Sequence, residues 1–201
     1  MDEATRVLRW DDLEATPWKN GGGSTRALAA APENASLAAF DWRVSVADVE
    51  SDGPFSAFPG IARVIMLIDG TEMILTVDGI THRLGPRDAL AFAGEADTSC
   101  RVPSGPTRDL NLMTRNGRAE GSLRSVVVAG GHETALGAGE TVVLVALTPG
   151  LSLEGAGAAG TEPVAPPLPL GPLDSVIRQA RGSVRVSGAG TLAQIRVRTV
   201  G

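Results

Sequence analysis

The stretch GIARVIMLIDGTEMILTVDG, residues 60–79, decides the fold class. It holds two apolar runs, RVIMLIDG at 63–70 and EMILTVDG at 72–79, and each ends in an Asp-Gly pair. Short apolar runs that end in turn residues are typical of β-strands, whereas an amphipathic helix repeats its apolar residues every three to four positions. Similar runs recur at short intervals between Trp42 and the C-terminus, on both sides of this stretch. The sequence therefore predicts an all-β fold, with at most two short helices, near WDDLEA and STRALAA.

The composition excludes several classes of protein. The chain has 201 residues, a formal net charge of −5 and no run of arginines, which argues against a nucleic-acid surface. The single cysteine, Cys100, cannot form an internal disulfide, and the N-terminus does not resemble a signal peptide. The apolar runs are much shorter than the roughly 20 residues that span a bilayer. We expect a soluble, cytoplasmic protein with neither nucleic acid nor membrane as partner.

A short internal repeat predicts two similar β units. LGPRDAL at 84–90 returns as LGPLDSV at 170–176, with Leu, Gly, Pro and Asp at the same positions. We place the first unit at 1–120 and the second at 121–201. The Gly-, Ala- and Pro-rich stretch at 154–172 is expected to be a loop within the second unit, because such a composition buries little surface.

The spacing of the fold-deciding stretch resembles the first motif of the cupin superfamily, G(X)5HXH(X)3-4E(X)6G. The residues at its fixed positions are Gly60, Met66, Ile68, Glu72 and Gly79. Both histidines are therefore replaced, and the histidine of the second motif becomes Thr98 in the first unit and Val184 in the second. The resemblance implies a double-stranded β-helix, the small β-barrel of cupins.

This donor set does not suit a metal. A catalytic transition-metal site needs at least three nitrogen, sulfur or carboxylate donors that meet at one point. The two histidines, His82 and His132, lie 50 residues apart and outside the motif positions. We expect no metal and no cofactor.

Three further blocks resemble the signature blocks of the HutD/Ves family. They are PWKNGGGSTR at 17–26, WRVSVADVESDGPFSAFPGIAR at 42–63 and DLNLMTRNG at 109–117. The resemblance covers residues 6–130 and implies a bicupin of bacterial origin, often encoded with histidine-utilisation genes. Members of that family are regarded as small-molecule-binding or regulatory proteins without an established reaction. The implied ligand belongs to the class of urocanate or formylglutamate.

The alternation of DLNLMTR defines a polar strand face. Asp109, Asn111, Met113 and Arg115 share one face, because successive side chains of a strand point to opposite sides. If this face points into the barrel, it forms the wall of a pocket. If it points outward, the same residues face solvent or pair across strands, and the sequence leaves both readings open.

The first unit also gathers the side chains that would hold a small carboxylate. Arginine binds carboxylates through two parallel, charge-assisted hydrogen bonds. Lys19, the one lysine beside 17 arginines, is predicted at the mouth of the barrel, because the glycines after it permit a close backbone approach. Phe55, Phe58 and Trp18 are candidate apolar walls. The predicted ligand-binding set is Trp18, Lys19, Asn20, Arg43, Ser45, Phe55, Arg63, Asp109, Asn111, Met113 and Arg115.

Three functions compete at this point. The first is a non-enzymatic protein that binds a small anionic metabolite in a regulatory or scavenging role. The second is a metal-free isomerase or hydrolase that uses Lys19, although no arrangement of nucleophile and histidine is present and no catalytic residue is assigned. The third is a protein-interaction module. Homodimerisation is compatible with all three.

Overall fold

The computed structural model describes residues 5–155 and 166–200, and in these ranges the chain is almost entirely β-structure. One short 3-10 helix, Trp10–Asp12, lies where WDDLEA suggested a helix, whereas STRALAA forms a strand, so that second helix prediction was wrong. The described ranges contain no helix that is both long and apolar enough to cross a bilayer. The predicted all-β class is confirmed.

The strands are numbered in chain order. The first eleven are β1 (Thr5–Leu8), β2 (Thr16–Pro17), β3 (Gly23–Ala31), β4 (Trp42–Val49), β5 (Gly53–Pro54), β6 (Ile61–Asp69), β7 (Met73–Val77), β8 (Ile80–Leu84), β9 (Ala89–Ala93), β10 (Thr98–Arg101) and β11 (Thr107–Arg115). The others are β12 (Ala119–Leu136), β13 (Glu140–Ala146), β14 (Leu151–Leu153), β15 (Leu168–Leu170), β16 (Ser175–Arg178) and β17 (Gly182–Thr199).

The strands form two compact units. The first consists of Glu14–Leu123 with the described C-terminal residues from Thr199, and the second of Arg124–Arg198 with the described residues before Glu14. The sequence placed the division after residue 120 and the whole N-terminus in the first unit, whereas β1 pairs with β16 of the second unit. Of the predicted loop at 154–172, residues 156–165 lie outside the described ranges, and Leu168–Leu170 form strand β15.

The first unit is built from two antiparallel sheets that enclose an apolar core. One sheet has the order β2-β3-β4-β11-β6-β9 and the other β5-β10-β7-β8. Both sheets contribute to the core. Its buried members are Val49, Ile65, Leu67, Met73, Leu75, Leu84, Cys100 and Val102. The side chains that share a face with these residues therefore point into the unit.

The second unit has one curled sheet with the order β1-β16-β13-β17-β14-β15, to which β12 adds by pairing with β17. Its core is aliphatic. The buried members are Val128, Leu136, Val142, Leu144, Ala146, Leu151, Leu153, Leu170, Val176, Val184, Val186 and Leu192.

The internal repeat adopts the same turn in both units. The aspartate side chain accepts a hydrogen bond from the glycine amide three residues earlier, at 2.9 Å in the first copy and 2.8 Å in the second. The residue before each aspartate has a positive φ, 73° at Arg87 and 66° at Leu173. Each aspartate carbonyl also accepts a backbone amide, from Leu67 in the first copy and Ala146 in the second. The same local chemistry therefore shapes both copies, as expected for a duplicated unit.

The third glycine of the GGG stretch has a clear structural reason. Gly23 begins β3 opposite Val49 on β4, and a Cβ atom at this position would overlap the carbonyl oxygen of Asp48. Gly22 is less restricted, because its nearest neighbour would be the Ser51 hydroxyl at 3.3 Å. Only glycine allows β3 to approach β4 this closely.

Gly23→Ala is expected to lower the free energy of unfolding by about 3 kcal/mol, because the backbone has to move to relieve the overlap. Gly22→Ala is the matched control, with an expected loss below about 1 kcal/mol. Urea denaturation of both variants measures the difference. Equal losses would contradict a steric requirement at Gly23.

Candidate functional site

The register of β11 places the polar face of DLNLMTR inside the first unit. Asp109 lies opposite Leu67 on β6 and Asn111 lies opposite Ile65, and both of these partners belong to the core. Directly opposed residues of antiparallel strands project to the same side of the sheet. Asp109 and Asn111 are accordingly 1% and 9% exposed. Of the two readings left open by the sequence, the inward one describes these residues.

Arg63 is the buried cation of this interior. It lies on β6 opposite Met113 of β11 and is only 5% exposed. Three phenyl rings surround its guanidinium, with centroids 5.4 Å away at Phe55, 5.5 Å at Phe58 and 5.1 Å at Phe92. These distances are within the range of cation–π attraction, which contributes roughly 0.5–2 kcal/mol per contact.

The rings do not replace a hydrogen-bonding partner. Within the described ranges, Nε of Arg63 has no hydrogen-bond partner and no carboxylate forms an ion pair with the guanidinium. Burial lowers the pKa of Arg63 to about 10, although the nearby charge of Asp109 acts in the opposite direction. The interior thus holds a desolvated cation whose donors are free to bind an anion.

Asp109 is the second ionisable group of the interior. Burial raises its pKa to about 7, Arg63 lowers it in part, and Asp48 raises it further. Its Oδ1 atom is buried without a hydrogen-bond partner in the described ranges, as are Asn111 Oδ1 and Thr107 Oγ1 on the same strand. An unpaired buried polar atom costs roughly 1–3 kcal/mol, so a cluster of them needs an explanation.

Ser45, Arg43 and Met113 complete this wall. Ser45 is buried opposite Asn111, and Arg43 is half-buried opposite Met113. Burial lowers the pKa of Arg43. Met113 packs with Phe40 and Ile61 in a small apolar cluster at the end of the unit.

Two predicted site residues do not join this group. The Nε of Arg115 donates to the carbonyl of Phe40 at 2.9 Å and its Nη2 to the carbonyl of Ala38 at 3.1 Å, which ties the segment before β4 to the end of β11. Lys19 is exposed, so its side chain lacks the burial that a catalytic lysine requires.

A surface pocket of about 200 Å³ adjoins the interior. It is lined by Trp18, Asn20, Gly22 and residues 51–55, and Lys19 is not part of its wall. Trp18 donates its indole N–H to Thr25 Oγ1 at 2.7 Å, and Asn20 accepts the Gly22 amide at 3.1 Å. Phe55 connects the pocket with the interior, because its side chain lines the pocket and its ring lies against the Arg63 guanidinium.

The residues present do not fit the metal of the cupin superfamily. The spacing argument assigned its two histidine positions to Met66 and Ile68, but Met66 pairs with Leu110 on the sheet face opposite to the core. That assignment was displaced by one residue, since the inward positions of β6 are Arg63, Ile65 and Leu67, none of which is a metal ligand. Across the described ranges, no three His, Cys, Asp or Glu side chains are grouped to hold an ion.

The remaining candidates for ligands have other contacts. Glu72 accepts from Arg83 at 2.7 Å. Thr98 donates to the carbonyl of Ala96 at 3.0 Å. Cys100 is buried, and burial together with the charges of Asp109 and Asp52 raises the pKa of its thiol to about 12. Neither the metal positions nor this thiol supplies a reactive centre.

Sequence reasoning missed two residues of the interior. Phe92 lies directly opposite Arg63 because β9 pairs with β6, a pairing between non-adjacent strands that no local pattern reveals. Thr107 precedes the polar alternation of β11 by two positions, and period-two counting extended backward would have found it.

Comparison with known proteins identifies the family. The HutD family model matches residues 10–193, which is most of the chain. The chain belongs to the HutD family. A 21.2 kDa protein of the hutC 3′ region of Pseudomonas putida is 44% identical over 109 residues, 54% of this chain and 57% of that protein. Protein Ves of Citrobacter koseri is 37% identical over 122 residues, 58% of this chain and 63% of Ves, so the matched part spans less than two thirds of these relatives.

Solved structures extend the comparison to the whole described chain. HutD from Pseudomonas fluorescens SBW25, in a formate condition, is 33% identical with a TM-score of 0.81, and the match covers 98% of this chain and 100% of that one. The bacterial pirin YhhW of Escherichia coli, in complex with nickel(II), is 7% identical with a TM-score of 0.65 over 98% of this chain and 100% of that one, which shows the fold alone. This member of the HutD family is a bicupin, as the sequence predicted.

Asp109→Asn is expected to stabilise the HutD chain more at high pH than at low pH. Between pH 3.8 and about 7 the unfolded chain releases a proton that the folded chain retains at Asp109, so the wild type loses stability as pH rises through this window. At one pKa unit per 1.36 kcal/mol, the gain from the substitution should be about 3 kcal/mol larger at pH 8 than at pH 5.

Urea denaturation at both pH values measures this difference. Asp97→Asn is the matched control, because Asp97 is exposed, and it should show no such difference. A gain for Asp109→Asn that is equal at both pH values would contradict a buried, proton-retaining carboxyl group.

Proposed function

We propose that the first unit of this HutD protein binds a small organic carboxylate, with Arg63 as its anchor. The observation that carries the proposal is a guanidinium 5% exposed with no ion-pair partner in the described ranges. A carboxylate fits it because its two oxygens accept parallel hydrogen bonds from a guanidinium, and removal from water strengthens such bonds. The hydrogen bonds to a bound carboxylate would offset the free-energy cost of keeping the Arg63 guanidinium out of water.

The surrounding residues suit the rest of a small ligand. Phe55, Phe58 and Phe92 offer apolar surface next to the guanidinium, and Asn111 and Ser45 offer polar groups on the neighbouring strands. Ligand sites typically combine a mostly apolar wall with a few orienting polar groups. The pocket at Trp18 and Asn20 is the proposed entrance, because Phe55 lines this pocket and also lies against the Arg63 guanidinium.

The names of the relatives support a metabolic setting. Relatives are called HutD and a protein of the hutC 3′ region, and the HutD of Pseudomonas fluorescens is described in a formate condition, formate being the smallest carboxylate. These names support the part of the proposal that concerns histidine utilisation: a ligand of the urocanate or formylglutamate class and a regulatory or scavenging role. We propose the cytoplasm as the location. An enzymatic role for Lys19 gains no support from its exposed position.

A thermal-shift titration with formate, urocanate and N-formylglutamate tests the proposal. A ligand at one hundred times its dissociation constant should stabilise the wild type by about 2.7 kcal/mol. Arg63→Met keeps most of the side-chain volume and removes the charge, and we expect it to abolish the ligand-dependent shift while the unliganded protein remains folded.

Arg83→Met is the matched control, because the Arg83 side chain is 68% exposed and pairs with Glu72 on the surface. It should retain the full shift. Absence of a shift with all three carboxylates in the wild type would overturn the proposal and favour the protein-interaction module, alone or as a homodimer. Persistence of the shift in Arg63→Met would also overturn it.

A further inference from the structure

The interior of the first unit contains buried acceptor atoms that no donor of the described ranges reaches. Asp109 Oδ1 and Asn111 Oδ1 are buried acceptors without a partner in the described ranges, and the adjacent Thr107 Oγ1 is unpaired as well. Asp109 and Asn111 lie two residues apart on β11. Both project to the same side of the sheet as Arg63 on β6. A carboxylate bound to Arg63 would add two acceptor oxygens and supply no donor to the unpaired oxygens of Asp109 and Asn111.

Asp109 makes this imbalance most severe. It is 1% exposed and its charge acts on Arg63, yet the two side chains form no ion pair. A ligand carboxylate on Arg63 would be a second negative group beside an ionised Asp109. Like charges in a desolvated site repel strongly, so one of the two must take a proton or meet a donor.

We propose that Asp109 selects the ligand: the carboxylate bound by Arg63 belongs to a molecule that also carries an N–H or O–H group, and this group donates to Asp109. The inference rests on the proposed function and narrows it to donor-bearing carboxylates. Rejection of a donorless analogue by a site built to hydrogen-bond is strong, because the buried acceptor is then left unpaired.

When the ligand has no N–H or O–H group, protonation of the Asp109 carboxylate from solvent removes the repulsion instead. A donorless carboxylate binds only as Asp109 becomes protonated, so its affinity falls as pH rises above about 7, the pKa that burial gives Asp109. The charged and titratable groups shown to interact with Asp109 in the described ranges are Arg63 on β6, Asp48 on β4 and Cys100 on β10. Arg63, with a pKa of about 10, and Cys100, with a pKa of about 12, do not change charge near pH 7.

A matched pair of probes tests this selection by calorimetry. N-acetylglycine carries an amide N–H, and acetoxyacetate has an ester oxygen in its place, with the same charge and nearly the same shape. At pH 8 the amide should bind at least tenfold more tightly than the ester. Between pH 8 and pH 6 the ester should gain close to tenfold in affinity and take up a proton, read from titrations in buffers of different ionisation enthalpy, while the amide changes little.

Variants at Asp109 separate selection from folding. Asp109→Leu removes the acceptor, so this variant should bind the amide and the ester with about equal affinity. Asp109→Asn removes the titration and should make ester binding independent of pH. Asp69→Leu, at an exposed carboxylate on the last residue of β6, is the control and should keep both properties of the wild type.

The outcomes distinguish this inference from the proposed function. Formate is also donorless, so it is tested at pH 6, below the pKa of about 7 of Asp109. If formate produces no binding signal at that pH and neither do the pair, the anchoring role of Arg63 is wrong and the selection is wrong with it. If formate binds and the amide and ester bind equally, or neither of the pair binds, the selection by Asp109 is overturned while the carboxylate site stands. A preference that persists in Asp109→Leu also overturns it.

Discussion

The antiparallel register of β11 between β4 and β6 decides what the interior of the first unit contains. Because side chains alternate along a strand, a slip of one residue would turn Asp109 and Asn111 outward and bring Leu110 and Leu112 to the interior. The irregularity between Arg108 and Asp109 in the pairing with β6 lies where the polar positions begin. The unpaired residue there is Ile68 of β6. The pairing of β11 with β4 is regular, so Arg108 and Asp109 point to opposite faces: Arg108 forms an ion pair of 2.6 Å with Asp48, and Asp109 points inward.

The free-energy cost of removing a guanidinium from water distinguishes Arg63 from the arginines that pair with carboxylates near the surface. Taking a guanidinium out of water costs several kcal/mol, and the three phenyl contacts return only part of that. In the described ranges, arginines with a carboxylate partner are more exposed, as Arg83 is with Glu72 at 68%. Arg63 is instead held by the surrounding apolar core, and a charge kept buried without a partner is typical of a binding position.

The sequence predicted the fold class and one wall of the site, and the reason it went no further is physical. The alternation in DLNLMTR identifies the polar face because its two sides differ in polarity. The run RVIMLIDG is apolar on both sides, so periodicity cannot distinguish its inward face, and motif spacing selected Met66 rather than Ile65. Arg115 shares the polar face in sequence, but at the end of β11 it meets the carbonyls of Ala38 and Phe40, contacts formed by distant residues.

The second unit shows that a buried polar side chain does not by itself mark a binding site. Gln194 is 2% exposed on β17, opposite Leu144 of the aliphatic core, and thus resembles Asn111 in burial and in its place on a sheet. Its Oε1 atom is nevertheless in contact with Arg124 at 3.2 Å and with His132 at 3.0 Å. The unpaired buried side-chain oxygens of the described ranges all belong to β11 of the first unit. The two units therefore differ in whether their buried side-chain oxygens have hydrogen-bond partners, rather than in the presence of buried polar residues.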